Sequence, residues 1–396
     1  LARLAIDVEA IPAELAELVV AKSRGNPFYI EQMMRSLADA GRVRRDDRTG
    51  RTVVADVLAF EVPDSVEGML MSRVDSLDET SRAVLQVASV VGARFQRAIV
   101  ERILAQPAMA EGVEPSLERI EKAGLIRIES SAPMAQYAFE HGLVQQTVYE
   151  SLPFASRREL HRRVGEYLEE HYPDALDAYL ELLSFHYSNS TDKTRAFLYA
   201  TKAAEKCARM FANREAVEHY LRAQGILETL PRGTIAEQGK VYAGLGDVYV
   251  LMGRYDEAIA TCRAGLGRQR WCSRGRPSEE AKAHARCASL LCHTMGVAHE
   301  RKGQYQRAMQ WYRRGLATLG EQHPSLQATI HLAMAGVFHR EGRYAEALEE
   351  CTRGVDLARS SGNLAELAHG YYLLGNIHTD TGQVEKAIEH RQQGLD

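Results

Sequence analysis

Histidines and cysteines in the second half of the chain are the side chains best suited to chemistry. Four of them fall within one short stretch, namely His284, Cys287, Cys292 and His293. Both residue types bind Zn²⁺, yet the spacing lacks the paired two-residue gaps of structural zinc sites. The sequence therefore predicts no metal. It predicts instead that four cysteines are reduced and lie in helical cores, namely Cys207, Cys262, Cys292 and Cys351.

Catalytic groups elsewhere in the chain lack partners. His141 and His161 both lie in helical sequence, without a serine, cysteine or metal ligand at a useful spacing. The sequence contains no Gly-x4-Gly-Lys-Ser/Thr loop that could hold phosphates, and no strand ends in paired acidic residues that could hold Mg²⁺. We expect structural roles for these histidines and no enzymatic activity from this chain.

A basic segment offers a different kind of chemistry. Residues 268–277 carry four arginines around Trp271, and such a group could bind phosphates or stack on a base. The same composition suits an exposed loop between helices, the interpretation that we favour. The formal net charge of −4 gives no bulk attraction to nucleic acid or membranes, and no apolar run is long enough to cross a bilayer. We expect neither as a partner.

A phrase repeated four times predicts the helices that must position any site. Its turn glycines, 50, 39 and 40 residues apart, are Gly253, Gly303, Gly342 and Gly382. A small residue precedes each by seven positions, and an alanine follows each by five. Both would allow close approach of two helices. These small residues are Gly246, Gly296, Ala335 and Gly375, and the alanines are Ala258, Ala308, Ala347 and Ala387.

The repeated phrase resembles tetratricopeptide repeats, in the roughly 40-residue form of kinesin light chains, over about residues 236–396. The resemblance implies an α-solenoid that binds a protein or peptide on its concave face. Self-association of the chain is also possible on this sequence. By register, the first helices place ten residues in this groove: Lys240, Asp247, His293, Glu300, Arg301, His339, Arg340, Tyr372, Asn376 and Asp380.

A second resemblance lies near the start, in Ser23-Arg24-Gly25-Asn26-Pro27-Phe28-Tyr29. This phrase is similar to the Gly-x-Pro motif in the helical lid of signal-transduction ATPases with numerous domains. The resemblance implies that Gly25, Asn26 and Pro27 bind ATP or ADP together with a P-loop module upstream of Leu1. We expect no nucleotide binding by this chain alone. On the residues alone, Gly25 ends one helix and Pro27 opens the next, and that simpler role stays open.

Residues 64–140 predict helices followed by a β-hairpin, which is the plan of a winged helix. The third helix is expected over Phe95–Leu104 and the hairpin strands over Leu125–Ile128 and Gln136–Phe139. The candidate DNA-reading helix, Glu114–Lys122, carries three glutamates, which phosphates would repel. We therefore do not expect this module to bind DNA.

The region after the hairpin resembles the junction of bacterial proteins that join class III adenylate or guanylate cyclases to ATPases of this type. It includes Phe139–Leu152 and the phrase Ser156-Arg157-Arg158-Glu159. Ser156 and Glu159 also have the spacing of a capping box that opens a helix to about His171. Because the sequence starts without Met and stops inside the last repeat, we expect it to be an internal piece of a longer chain.

The sequence thus predicts a mainly α fold, with ATPase lid helices and a winged-helix module followed by a tetratricopeptide-repeat α-solenoid. We expect a lid plus short hairpin over 1–58, the winged-helix-like module over 59–140, degenerate helical repeats over 141–235 and clear repeats over 236–396. The expected function is that of a regulatory fragment of a cytoplasmic bacterial switch protein. The alternatives are part of a cyclase, part of a maltose-regulator-type transcription activator, or a scaffold without a switch.

Overall fold

A computed structural model describes most of the chain: residues 13–23, 27–39, 43–45, 52–54, 65–104, 112–130, 135–230, 238–272, 278–320 and 323–395. These residues are mainly helical. The chain divides into two compact units. The first comprises Leu1–Leu176 with Asn189–Thr191, and the second comprises Asp177–Ser188 with Asp192–Asp396.

Short helices and strands alternate in the first unit. Its helices are α1 (Ala13–Ser23), α2 (Pro27–Asp39), α3 (Val66–Asp75), α4 (Glu79–Val91), α5 (Arg97–Leu104), α6 (Glu114–Lys122), α7 (Gly142–Ser151) and α8 (Phe154–His171). Its strands are β1 (Val43–Arg45), β2 (Thr52–Val54), β3 (Arg94–Gln96), β4 (Ile126–Ser130) and β5 (Gln136–Phe139). This unit extends through α7 and α8, which the sequence assigns to the start of the degenerate repeats.

The strands form two antiparallel sheets. β1 pairs with β2, and the second sheet has the order β3-β5-β4. The sequence predicted a helix over Phe95–Leu104, but the first two residues belong to β3 and the helix begins at Arg97. Phe95 is buried, pairs with Tyr137 across the sheet and stacks on its ring at 5.8 Å between centroids. This aromatic packing stabilises the strand over a longer helix.

The predicted capping box at the start of α8 is wrong. The helix begins at Phe154 and its N-cap is Pro153, without a side-chain hydrogen bond, so Ser156 lies inside the first turn. Glu159 instead accepts a 2.6 Å hydrogen bond from Arg162. Proline suits the start of a helix because its fixed φ is already helical and it has no N–H to satisfy.

The second unit is a succession of helical hairpins. After a 3-10 helix over Pro173–Tyr179, its helices are α9 (Leu180–Ser188), α10 (Lys193–Arg209), α11 (Asn213–Thr229), α12 (Gln238–Leu251), α13 (Tyr255–Cys272), α14 (Ser278–Arg301), α15 (Tyr305–Leu319), α16 (Pro324–Arg340), α17 (Tyr344–Ser361), α18 (Leu364–Asp380) and α19 (Val384–Gln393). Each of the four predicted repeats is one hairpin, starting with α12 and α13. No helix of the described residues is long and apolar enough to span a bilayer.

The turns and close contacts of these hairpins follow the predicted pattern. The four turn glycines have φ between +71° and +75°, a conformation that glycine adopts without steric cost. The four alanines after them are buried. A Cβ atom on Gly296 would lie 2.2 Å from Cε1 of Tyr312, so the small residue is required for the approach of α14 and α15. The spacing rule is confirmed.

The basic segment between the first two hairpins is partly helical. α13 continues to Cys272 and α14 begins at Ser278, so the exposed-loop interpretation is wrong for residues 268–272. Residues 273–277 lie outside the described ranges. The Arg268 guanidinium donates hydrogen bonds to Gln238 Oε1 at 3.3 Å and to the Leu227 carbonyl at 3.1 Å. Arg268 therefore has a structural role in joining three helices.

Five cysteines are buried and unbridged: Cys207, Cys262, Cys287, Cys292 and Cys351. The four that the sequence assigned to helical cores are among them, which confirms that prediction. Burial raises the pKa of the Cys292 thiol to about 11 and that of Cys351 to about 12. These thiols therefore stay protonated and pack as small apolar side chains.

Candidate functional site

A cavity of about 400 Å³ opens on the face that α14, α16 and α18 share, the first helices of the last three hairpins. Seven of the ten predicted groove residues line it: His293, Glu300, Arg301, His339, Arg340, Tyr372 and Asn376. These seven residues therefore lie together on one side of the repeats, and their role in binding stays a prediction. The cavity lies wholly within the second unit.

The floor of the cavity is apolar and its rim is polar. Val297, Leu332, Ala333 and Leu373 contribute the apolar surface, and Leu332 is fully buried beneath it. Tyr372 stands at the rim with 60% of its surface exposed. A surface of this kind can hold apolar and aromatic side chains while its rim binds polar backbone groups.

Glu300 is the most strongly held charge in the cavity. One carboxylate oxygen accepts a 2.7 Å hydrogen bond from Tyr312 Oη, and the other forms an ion pair with Arg340 of the next hairpin. Tyr312 is fully buried, and burial raises its pKa well above the ordinary value, so its hydroxyl remains a donor. Glu300 and Arg340 thus link α14 to α16 and neutralise each other.

A second carboxylate, Glu366, lies on α18 and is also bound. It accepts a 2.9 Å hydrogen bond from Thr329 Oγ1, and its other oxygen lies 3.8 Å from His369 Nδ1. The interaction with His369, chiefly, and the hydrogen bond from Thr329 lower the pKa of Glu366 against the opposing effect of burial. Burial lowers the pKa of His293, so this ring is neutral near pH 7.

Arg301 differs from the other charged groups of the cavity. It is exposed at the end of α14. Its guanidinium makes no hydrogen bond or ion pair with any residue in the parts of the chain that the structure describes. An arginine can bind a carboxylate through two parallel hydrogen bonds. Arg301 is therefore available to an acidic group of a ligand.

Three predicted groove residues lie outside the cavity lining. Asp380 binds Nε2 of His339 at 2.7 Å and so orients a residue that does line the cavity. Lys240 and Asp247 belong to α12, the first helix of the preceding hairpin. Asp247 Oδ1 accepts a 2.8 Å hydrogen bond from Thr294 Oγ1 of α14.

The surroundings of Asp247 combine exposure with crowding. Its side chain keeps an exposed surface, yet the protein atoms around it remove enough water to raise the pKa of the carboxyl to about 6, against the lowering effect of the Thr294 hydrogen bond. Asp247 is therefore still largely ionised at pH 7.

The predicted nucleotide-contacting residues lie in the first unit. Gly25 and Asn26 are outside the described residues, and Pro27 is the exposed first residue of α2. The start of a helix at Pro27 agrees with both interpretations of the motif, a helix corner and a nucleotide contact. Binding of ATP or ADP by these three residues stays a prediction from the resemblance.

Nine residues of the cavity lining were not predicted, and four of them are polar: Tyr312, Thr329, Glu366 and His369. His369 lies seven positions before the predicted residue Asn376, and Glu366 lies three before His369, so extending the register toward the start of α18 would have found both. Tyr312 comes from the second helix of its hairpin and reaches the cavity only because Gly296 has no side chain. Thr329 lies seven positions before Gly336, on the same face of α16.

Family models for the tetratricopeptide repeat match three segments of the second unit, residues 239–270, 291–323 and 326–396. These segments are tetratricopeptide repeats. The repeats therefore include all the helices that line the cavity. None of the curated protein sequences matches the chain.

Several solved structures have a similar fold at low identity. BtubC (BKLC) from P. vanneervenii is 17% identical, with 61% of this chain and 87% of that chain covered and a TM-score of 0.42. NprR in complex with its cognate peptide NprX is 17% identical, with 73% of this chain and 75% of that chain covered and a TM-score of 0.42. A third structure is the STAND protein with a tetratricopeptide-repeat sensor, PH0952 from Pyrococcus horikoshii. It is 12% identical, with 98% of this chain and 64% of that chain covered and a TM-score of 0.32. At these scores the likeness concerns the fold alone.

Proposed function

We propose that the tetratricopeptide repeats bind an extended segment of a protein or peptide on the face that α12, α14, α16 and α18 share. The observation that carries this proposal is the cavity of about 400 Å³ with an apolar floor, a polar rim and an exposed tyrosine. Such a surface takes up alternate side chains of a segment, and its rim groups bind the backbone between them. The ten predicted groove residues form the proposed binding surface.

The chemistry of the lining favours binding over catalysis. Among the described residues that line the cavity, none is a serine or a cysteine. Glu300 and Glu366, which could act as bases, are held in hydrogen bonds and ion pairs with neighbouring helices. Their effect is to fix the positions of three helices relative to one another. The proposed role is therefore a rigid binding surface without an enzymatic reaction.

The first unit is proposed to connect these repeats to a switch. Part of this unit follows the order of helices and strands in a winged helix, namely α4, β3, α5, α6, β4 and β5. The strands of this part pair in the order β3-β5-β4. The resemblance of the preceding segment to an ATPase lid suggests that both belong to a nucleotide-dependent regulator. ATP or ADP would then need a P-loop module outside this sequence, and the parent chain would be a cytoplasmic switch protein.

DNA binding by this module is not favoured, because its helix α6 has few free cations. Arg119 forms an ion pair with Asp78 at 3.2 Å, and Glu114 forms one with Arg97 at 2.7 Å. The acidic side chains of α6 remain to repel phosphates. The proposed role of the module is to connect the other parts of a signalling protein. A cyclase or a transcription activator of the maltose-regulator type stays an alternative for the parent chain.

Peptide selection tests the binding proposal. A random peptide library displayed on phage is selected against the full chain, and the selected peptides are measured by fluorescence anisotropy. We expect Tyr372→Ala and Arg301→Gln to weaken binding by about tenfold or more, since exposed aromatic and arginine side chains dominate such contacts. Arg353→Gln is the matched control, because Arg353 is an exposed arginine on α17 outside the cavity. A library without binders, or binders insensitive to both cavity substitutions, contradicts the proposal.

A further inference from the structure

Two opposite charges on the proposed binding face lack a charged partner. Asp247 has one hydrogen bond, from Thr294 Oγ1, and no arginine or lysine among the described residues forms an ion pair with it. Arg301, in the same described ranges, has neither a hydrogen bond nor an ion pair. A charge left without an opposite charge on a concave surface is favoured to bind one from a ligand, because partial removal of water strengthens the attraction.

The remaining charged groups of the cavity are already paired. Glu300 is bound by Arg340 and Tyr312, and Glu366 by Thr329 and His369. A ligand charge placed beside any of them would have to compete with an existing partner. Arg301 can thus bind a ligand charge without losing a partner, and Asp247 can do so while it keeps its hydrogen bond from Thr294.

A hydrogen bond places the Asp247 carboxylate beside α14, the helix that carries Arg301. Asp247 contacts Thr294, and Arg301 follows Thr294 by seven residues on the same face of α14. Seven residues, about two helical turns, separate Thr294 from Arg301 by about 10 Å along the axis of α14. An extended peptide advances about 3.3 Å per residue, so this distance corresponds to about three residues of a bound segment.

We propose that the repeats recognise a segment with two opposite charges about three residues apart, a basic side chain bound by Asp247 and an acidic side chain bound by Arg301. This specificity rests on the proposed function and adds the charge pattern of the ligand to it. The apolar floor would take the side chains between and beyond the two charges. The charges would also fix the direction in which the segment lies along α14.

Charge-paired peptides test the pattern. Short fluorescent peptides with a common apolar background carry Lys-x-x-Glu, Glu-x-x-Lys, Lys-x-x-Lys, Glu-x-x-Glu or Gln-x-x-Gln. We expect the wild-type chain to bind one of the two mixed orders about tenfold more tightly than either like-charged peptide. Asp247→Lys should shift the preference to Glu-x-x-Glu, and Arg301→Glu should shift it to Lys-x-x-Lys. Asp247→Asn and Arg301→Gln keep the size of each side chain and should abolish the preference for charge.

The outcomes separate this inference from the proposed function. If peptides bind and Tyr372→Ala weakens them, while neither charge substitution changes the order of preference, the charge pattern is wrong and the binding face stands. If no peptide responds to Tyr372→Ala, both proposals fail. A thermal unfolding curve of each variant identifies any loss of fold, and the Asn and Gln variants supply the same comparison if a charge reversal does not fold.

Discussion

Substitution of Gly296 by alanine tests the way in which the repeats position the cavity. Gly296 lies where α14 and α15 approach most closely, and a Cβ atom there would lie 2.2 Å from Cε1 of Tyr312. Carbon atoms in contact normally lie about 3.5–4.0 Å apart, so the ring must move by about 1 Å or more. The ring is fully buried, and its hydroxyl holds Glu300.

The expected cost of Gly296→Ala combines three effects. Overpacking a buried ring costs about 1–3 kcal/mol, and loss of a hydrogen bond to an ionised carboxylate costs about 1.5–3 kcal/mol. Alanine recovers about 1 kcal/mol through its higher helix propensity. We therefore expect the free energy of unfolding to fall by about 1.5–5 kcal/mol. Peptide affinity should fall too, because Glu300 loses the group that positions it.

Gly336→Ala is the matched control for this substitution. Gly336 also lies inside a first helix and lines the same cavity, but its nearest neighbour to a built Cβ atom is Arg340 Nη1 at 4.0 Å. Here the helix-propensity gain is unopposed, so we expect stabilisation of up to about 1 kcal/mol. Urea unfolding followed by circular dichroism gives the overall change, and native-state hydrogen exchange of α14 and α15 locates it. If the two substitutions change the free energy of unfolding equally, the close contact between Gly296 and Tyr312 does not explain the cost.

Three further predictions address other features. Phe211 is 77% exposed, has a φ of +58° and occupies the turn position that the clear repeats fill with glycine. Phe211→Gly should therefore raise the free energy of unfolding by about 0.5–1 kcal/mol, measured by urea unfolding. A lower free energy of unfolding would contradict this. His161 is buried, its Nε2 lies 3.1 Å from Tyr149 Oη, and burial lowers its pKa to about 4. On acidification the histidine is therefore protonated in the unfolded chain before it is protonated in the folded one. The free energy of unfolding should fall by up to about 3 kcal/mol as pH drops from 6.5 to 4. His161→Gln should flatten that part of the urea-midpoint profile. Asp247 gains a proton as pH falls through about 6, while its titratable neighbours Cys262 and Tyr220 stay neutral. The binding of a lysine-containing peptide should therefore weaken over this pH range. Asp247→Asn should remove this pH dependence in anisotropy titrations.

The sequence was sufficient to predict the repeats, since their spacing records a local geometry. A glycine at a left-handed turn and small residues where two helices meet leave a direct mark in each copy, as at Gly303 and Gly296. The groove faces followed from the same register. Seven of the ten predicted residues therefore line one cavity.

Other features depended on contacts that a local pattern does not contain. Arg340 pairs with Glu300 from 40 residues away, a contact set by how one hairpin stacks on the next. The three-residue strand β3 is too short to show a period, and its pairing with β5 depends on the burial of Phe95. The start of α8 was missed because a serine and a glutamate at capping spacing outweighed Pro153, three positions earlier.

Photo-crosslinking tests the central claim, binding of a segment on the face of the first helices, most directly. A selected peptide with a photoreactive phenylalanine analogue is crosslinked to the full chain, and the attachment sites are mapped by mass spectrometry. We predict attachment to α14, α16 and α18, at cavity residues such as Tyr372 and Arg301, and loss of attachment with excess unlabelled peptide. Specific attachment to the second helix α17, or to the first unit, would contradict binding on this face.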